Sequence, residues 1–145
     1  MDALKFDDGV INLDVNNTGR ILSFNPTDAK VYDVFFQLVH EMPEKLNKLS
    51  VEEEKLKGKK LDEMERVKEE LKLYAKVDKL LRECFDNALG EGASDIMFGT
   101  QYTCSLASNG DFIFANAIMA LVPHFEKETK KRKEKIKTVA KQYKE

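Results

Sequence analysis

Residues 61–89, LDEMERVKEELKLYAKVDKLLRECFDNAL, decide how this chain folds. Leu61, Met64, Val67, Leu71, Tyr74, Val77, Leu81, Cys84 and Ala88 recur at steps of three and four residues. That spacing places them along one side of an α-helix and predicts a long amphipathic helix from about Lys59 to Leu89. Glu69 and Lys72 can form an ion pair on its outer face. Gly90-Glu91-Gly92 follows, supplying glycine where a helix C-terminus favours the left-handed conformation.

Working upstream, Asn25-Pro26-Thr27-Asp28 is a helix-start signal, with Thr27 or Asp28 able to accept from the first exposed amides. Val31, Phe35, Leu38, Val39, Met42, Leu46 and Leu49 then form a second apolar stripe. Pro43 lies inside it and predicts a kink, or a restart at Glu44, because proline removes one backbone donor. Gly58 is the only obvious break between the two stripes. Two helices of about 45 Å each would therefore fold back on each other as an antiparallel pair. The Glu44 to Arg82 block is dense in charge, and the alternative reading is a disordered loop over residues 49–60.

Residues 1–25 differ in kind. Val10, Ile11, Leu13 and Val15 precede Asn16-Asn17-Thr18-Gly19, and Ile21-Leu22-Ser23-Phe24 follows, which reads as a β-hairpin with Ile11, Leu13 and Val15 on one face. An isolated hairpin is marginal in water, so its apolar face needs a helix, a third strand or another subunit.

Downstream, residues 90–109 read as a connecting loop, with Ile96-Met97-Phe98 as a short apolar cluster inside it. A last helix opens near Gly110, carries Phe114, Ala117, Ile118, Leu121, Val122 and Phe125 on one face, and runs past Pro123 into a Lys-rich end.

The fold expected is one domain, mainly α: a hairpin over 1–25, a long charged antiparallel helical hairpin over 26–89, the loop 90–109, and a C-terminal helix with a basic tail over 110–145. Its core should contain Phe35, Leu38, Leu71, Leu81, Phe85, Phe114, Ile118 and Leu121.

Composition narrows the function classes. Of 145 residues 42% are hydrophobic and 34% charged, and the net charge is −2. No run approaches the roughly 18 apolar residues of a membrane span, and Met1 to Asp8 carries acids where a signal peptide carries lysines, so a cytoplasmic protein is expected. Cys84 and Cys104 have neither disulfide-framework nor zinc spacing, and reduced thiols are expected. Charge is unevenly spread: residues 126–145 hold nine Lys or Arg and four acids, net +5, which leaves −7 on residues 1–125.

No motif argues for catalysis. His40, His124, Cys84 and Cys104 are the only candidates for nucleophilic chemistry and show no local signature. Asp86, Asn87, Glu91 and Asp95 fail the calcium-loop pattern, since Ala88 and Gly90 stand at the third and fifth places counted from Asp86. Gly90 and Gly92 fail the phosphate-loop pattern, which needs GK[ST] after a strand. No enzyme, cofactor or metal is expected. Two candidates for binding remain. Ile96, Met97 and Phe98, in a flexible connection, suit an adaptable protein-binding patch, or alternatively a plug closing the helical core. Lys130, Lys131 and Arg132 head a basic run that could meet phosphates, serve as a solvated helix end, or contact the acidic body of a second copy.

The order of elements resembles small tail assembly proteins of bacteriophages and prophages: a short hairpin, Phe24-Asn25-Pro26-Thr27-Asp28 opening a helix, Phe85-Asp86-Asn87-Ala88-Leu89-Gly90-Glu91-Gly92-Ala93-Ser94-Asp95 with Phe98-Gly99 after it, and a last helix with a Lys-rich end. The resemblance implies a non-catalytic tail assembly chaperone that coats the long, apolar, helical tape-measure protein in several copies and keeps it soluble in the host cytoplasm until the tail tube forms. The long charged block departs from a compact member of that family. The alternatives are a nucleic-acid-associated protein using the basic C-terminal helix and a structural component of the virion.

Overall fold

The computed structural model describes the backbone of residues 1–144 and the side chains of residues 1–141. The expected extension of the last helix to Glu145 falls outside the described residues. Two antiparallel strands, β1 (Ile11–Asp14) and β2 (Ile21–Phe24), are followed by four helices: α1 (Ala29–Lys57), α2 (Glu63–Leu89), α3 (Ala93–Phe98) and α4 (Ile113–Lys144).

The hairpin forms as its sequence dictates. Ile11 pairs with Phe24 and Leu13 with Leu22. The turn at Val15–Asn17 places Asn16 and Asn17 at φ 52° and 57°, a region asparagine tolerates well. Asp14 Oδ1 accepts the Gly19 amide at 2.9 Å and closes it. Leu22 and Phe24 are buried, and Phe24 stacks on Phe125 of α4 at 5.5 Å, so a helix supplies the cover the hairpin requires.

Asp28 caps α1 by accepting from the Lys30 amide at 2.9 Å, and Asp62 caps α2 by accepting from Glu65 at 2.8 Å. Helix α1 ends at Gly58, whose amide donates to the Glu54 carbonyl at 3.2 Å. Lys45 on α1 meets Cys84 on α2, while Glu53 faces Tyr74, so the two helices run antiparallel. Helix α1 is continuous through Pro43 and through residues 49–57; it does not restart at Glu44, and neither is that stretch a loop. Leu56 is buried near its end, and such burial holds the last turns against their charge density.

The core gathers Phe24, Phe35, Leu38, Met42, Leu81, Phe85, Phe98, Phe114, Ile118, Leu121 and Phe125. Phe35 stacks on Phe125 with ring centroids 4.2 Å apart. Each such ring contributes about 1.5–3 kcal/mol by leaving water.

Two expectations are corrected and one alternative is decided. Leu71 is 56% exposed, and Leu73 is buried in its stead. Two residues on a helix differ by about 200° in direction, and the face that meets α1 carries Leu73, Val77 and Leu81. Residues 90–109 are not wholly a loop, since α3 occupies Ala93–Phe98, giving four helices where three were expected. Its start is held from α2, because Asp86 Oδ1 accepts the buried Ser94 amide at 2.7 Å. Of the two readings of Phe98, an adaptable patch or a plug of the helical core, its burial agrees with the plug: it is 5% exposed and meets Phe85 edge-on at 5.0 Å.

Candidate protein-binding groove

Residues 99–112 bring together what sequence reading left as a polar turn. Asp78 on α2 is buried, and its Oδ1 accepts both the Thr103 amide at 2.6 Å and the Thr103 hydroxyl at 2.8 Å. Its Oδ2 accepts from Arg82 Nε at 3.0 Å. Arg82 also donates to Asp95 at 2.9 Å and to the carbonyls of Gly99 and Gln101 at 2.7 and 2.6 Å. Asp78 and Arg82 thus satisfy one amide and two carbonyls of an irregular segment. Backbone bonds hold the rest: the Ala107 amide donates to the Asp111 carbonyl at 2.8 Å around the Leu106–Phe112 bridge, and the Ile113 and Phe114 amides at the start of α4 donate to the Ser105 and Thr103 carbonyls at 2.9 and 3.0 Å.

So fixed, the segment forms one wall of an apolar groove of about 720 Å³. Leu46 and Leu49 of α1 and Tyr74 of α2 form the other walls, with Tyr102, Cys104, Leu106 and Phe112 from the segment. Leu106 is 66% exposed and Phe112 lies open on one side while stacking on buried Phe114 at 5.4 Å. Glu53 is the only charged lining residue. Burial first, and then the Glu53 and Glu70 carboxylates, hold the Tyr74 phenol above its ordinary range. Burial likewise pushes the Cys104 thiol up, with the Asp78 charge adding to it.

Outside the groove the same side of α2 continues as Leu71, Val67 and Met64, all exposed. These positions precede Tyr74 at steps of three and four residues, on the same side of the helix. Exposed apolar side chains thus run over about three turns of α2 beside the groove.

The candidate residues from sequence are separated. Ile96 and Met97 are half-buried on α3, and Met97 lines a different groove beside the hairpin and α4. Lys130, Lys131 and Arg132 lie on the exposed end of α4, where Lys131 pairs with Glu128 at 3.5 Å and Arg132 donates to the Thr27 carbonyl at 2.8 Å. The two groups do not share a surface. Leu106 and Phe112 were missed because they flank a polar turn, and only their alternation about it signals the pairing.

The thiols and imidazoles are also apart. Cys84 accepts from Lys45 at 3.0 Å, and this bond, with Glu41 assisting, raises the lysine above its usual range. His40 packs on Phe36 at 4.2 Å, Cys104 lines the groove described above, and His124 lines the other. Among the described residues no group of three or more His, Cys, Asp or Glu side chains is placed to hold a metal. No helix among them is long and apolar enough to cross a membrane. No protein-family model, curated protein or solved structure matches the chain.

Proposed function

We propose that this chain is a non-enzymatic binding protein that receives an apolar, helical segment of another protein, acting as a tail assembly chaperone of the phage type. The observation that carries the reading is the open groove at Leu46, Leu49, Tyr74, Tyr102, Leu106 and Phe112, continuous with the bare Leu71-Val67-Met64 stripe. Such a surface costs free energy in water and is maintained when a partner covers it. Its aromatic residues suit a contact of moderate strength, and many moderate contacts along one extended client add by avidity. The resemblance of the chain to phage tail assembly proteins supplies the class of client, a long helical tape-measure protein.

The test is co-expression with a tape-measure-type helical client, reading the soluble client that co-purifies with the tagged chain. The unaltered chain should raise soluble client several-fold, and Leu106→Glu should remove that gain while circular dichroism stays unchanged. Equal recovery with and without the chain, or with the variant, would overturn the reading.

A further inference from the structure

The first eight residues, MDALKFDD, carry apolar side chains with nothing over them. Leu4 is 88% and Phe6 73% exposed, and neither belongs to a helix or strand. The point where this arm meets the body is nonetheless built. The Gly9 and Val10 amides donate to the Asp7 and Asp8 carboxylates at 2.9 and 3.0 Å, and Asn25 Nδ2 donates to the Asp8 carbonyl at 3.0 Å. Gly9 sits at φ +79°, and a β-carbon there would lie 2.9 Å from Asn25 Nδ2, so glycine is required by both conformation and space. The arm is therefore held at its root beside Asn25, at the end of the hairpin opposite its turn.

At the turn end of that hairpin lies a groove of about 550 Å³, whose apolar floor comes from Leu13, Leu22, Met97, Ala117 and Leu121. Its charged or titratable rim is Asp14, Arg20 and His124. Asp14 is engaged by the Gly19 amide, whereas Arg20 donates only to Thr18 and makes no salt bridge among the described residues. The arm carries Asp2, Asp7 and Asp8 against Lys5, net −2, which complements that guanidinium.

We propose that the N-terminal arm of one copy lies in the hairpin–α4 groove of a second copy, with Leu4 and Phe6 on its apolar floor and Asp2 near Arg20. Exchange of such an arm buries on each partner what is bare in a single copy, and it links copies either reciprocally or head to tail. It uses a surface distinct from the α1–α2 groove and leaves that groove open.

Sedimentation velocity over a concentration series tests it, with the full chain. The unaltered protein should shift from monomer mass to at least twice that mass as concentration rises. Leu4→Glu with Phe6→Glu, and separately Ala120→Glu on the exposed lip of the groove, should each hold it at monomer mass with unchanged circular dichroism. A mixture of Phe6→Cys and Ala120→Cys chains should oxidise to a dimer in which mass spectrometry finds position 6 linked to position 120. A monomer at every concentration, self-association indifferent to these substitutions, or an oxidised mixture without the 6–120 link would overturn it.

Discussion

Asp78 and Thr103 meet through two hydrogen bonds to one carboxylate oxygen, at 2.6 and 2.8 Å, across twenty-five residues of chain. Both are buried, Thr103 completely. This pair and the Arg82 fork beside it convert the polar segment after Gly99 into a wall of the α1–α2 groove. Asp78→Ala would leave Arg82 and Thr103 with unpaired buried groups, and the expected loss is about 3 kcal/mol in urea unfolding. Thr103→Val keeps the amide bond and removes only the hydroxyl, and should cost about 1–2 kcal/mol. Equal stabilities of the two variants would contradict this division of roles.

Phe98 and Leu106 should behave oppositely. Phe98 is packed on Phe85, and Phe98→Ala should lower stability by about 3–5 kcal/mol through the cavity it leaves. Leu106 is exposed, and Leu106→Glu should stay within about 0.5 kcal/mol of the unaltered chain while weakening client binding. Thermal melts of both variants beside a client pull-down decide the matter. A folded, fully stable Phe98→Ala protein would remove Phe98 from the core.

Leu71 offers a sharper check on the packing. Because it is exposed, Leu71→Gln should change stability by less than about 0.5 kcal/mol, whereas buried Leu73→Ala should cost about 2–5 kcal/mol. Chemical denaturation of the two variants reads this directly, and a reversed order would place the wrong face of α2 against α1.

Cys104 reports on the groove through its titration. Burial holds its thiol above the ordinary thiol range, so the folded chain keeps that proton more firmly than the unfolded chain. The stability this provides is complete below the ordinary value of about 8.5 and is lost as pH rises through the higher folded value. Labelling by a thiol reagent near neutral pH should therefore be slower in the folded protein than in urea, and should accelerate as pH rises. Peptide mass spectrometry separates Cys104 from Cys84. Unfolded-like labelling of Cys104 at neutral pH would show the thiol to be open to water.

Much of the architecture was legible because its determinants are local. The apolar spacing of Leu81, Cys84 and Ala88, the cap at Asp28, the break at Gly58 and the turn at Asn16-Asn17 each act within a few residues, whereas the start of α2 at its Asp62 cap, three residues past the expected Lys59, was not read. Periodicity alone could not choose between Leu71 and Leu73, since α2 carries apolar residues on two faces and the choice belongs to the partner helix. Nor could it find α3, whose six residues are too few to stand alone and whose first turn is capped by Asp86 from another helix.

The sequence by itself determined a hairpin followed by long charged helices, and the excess of basic charge at the C-terminal end, because backbone propensity, capping and charge are properties of neighbouring residues. Only the tertiary structure decided that Phe98 is core, that Leu106 and Phe112 line an open groove, and that Lys130 to Arg132 lie apart from Met97. Those outcomes depend on which groups meet across long stretches of chain: Asp78 and Arg82 of α2 and the first amides of α4 together set the position of the segment on which the groove rests.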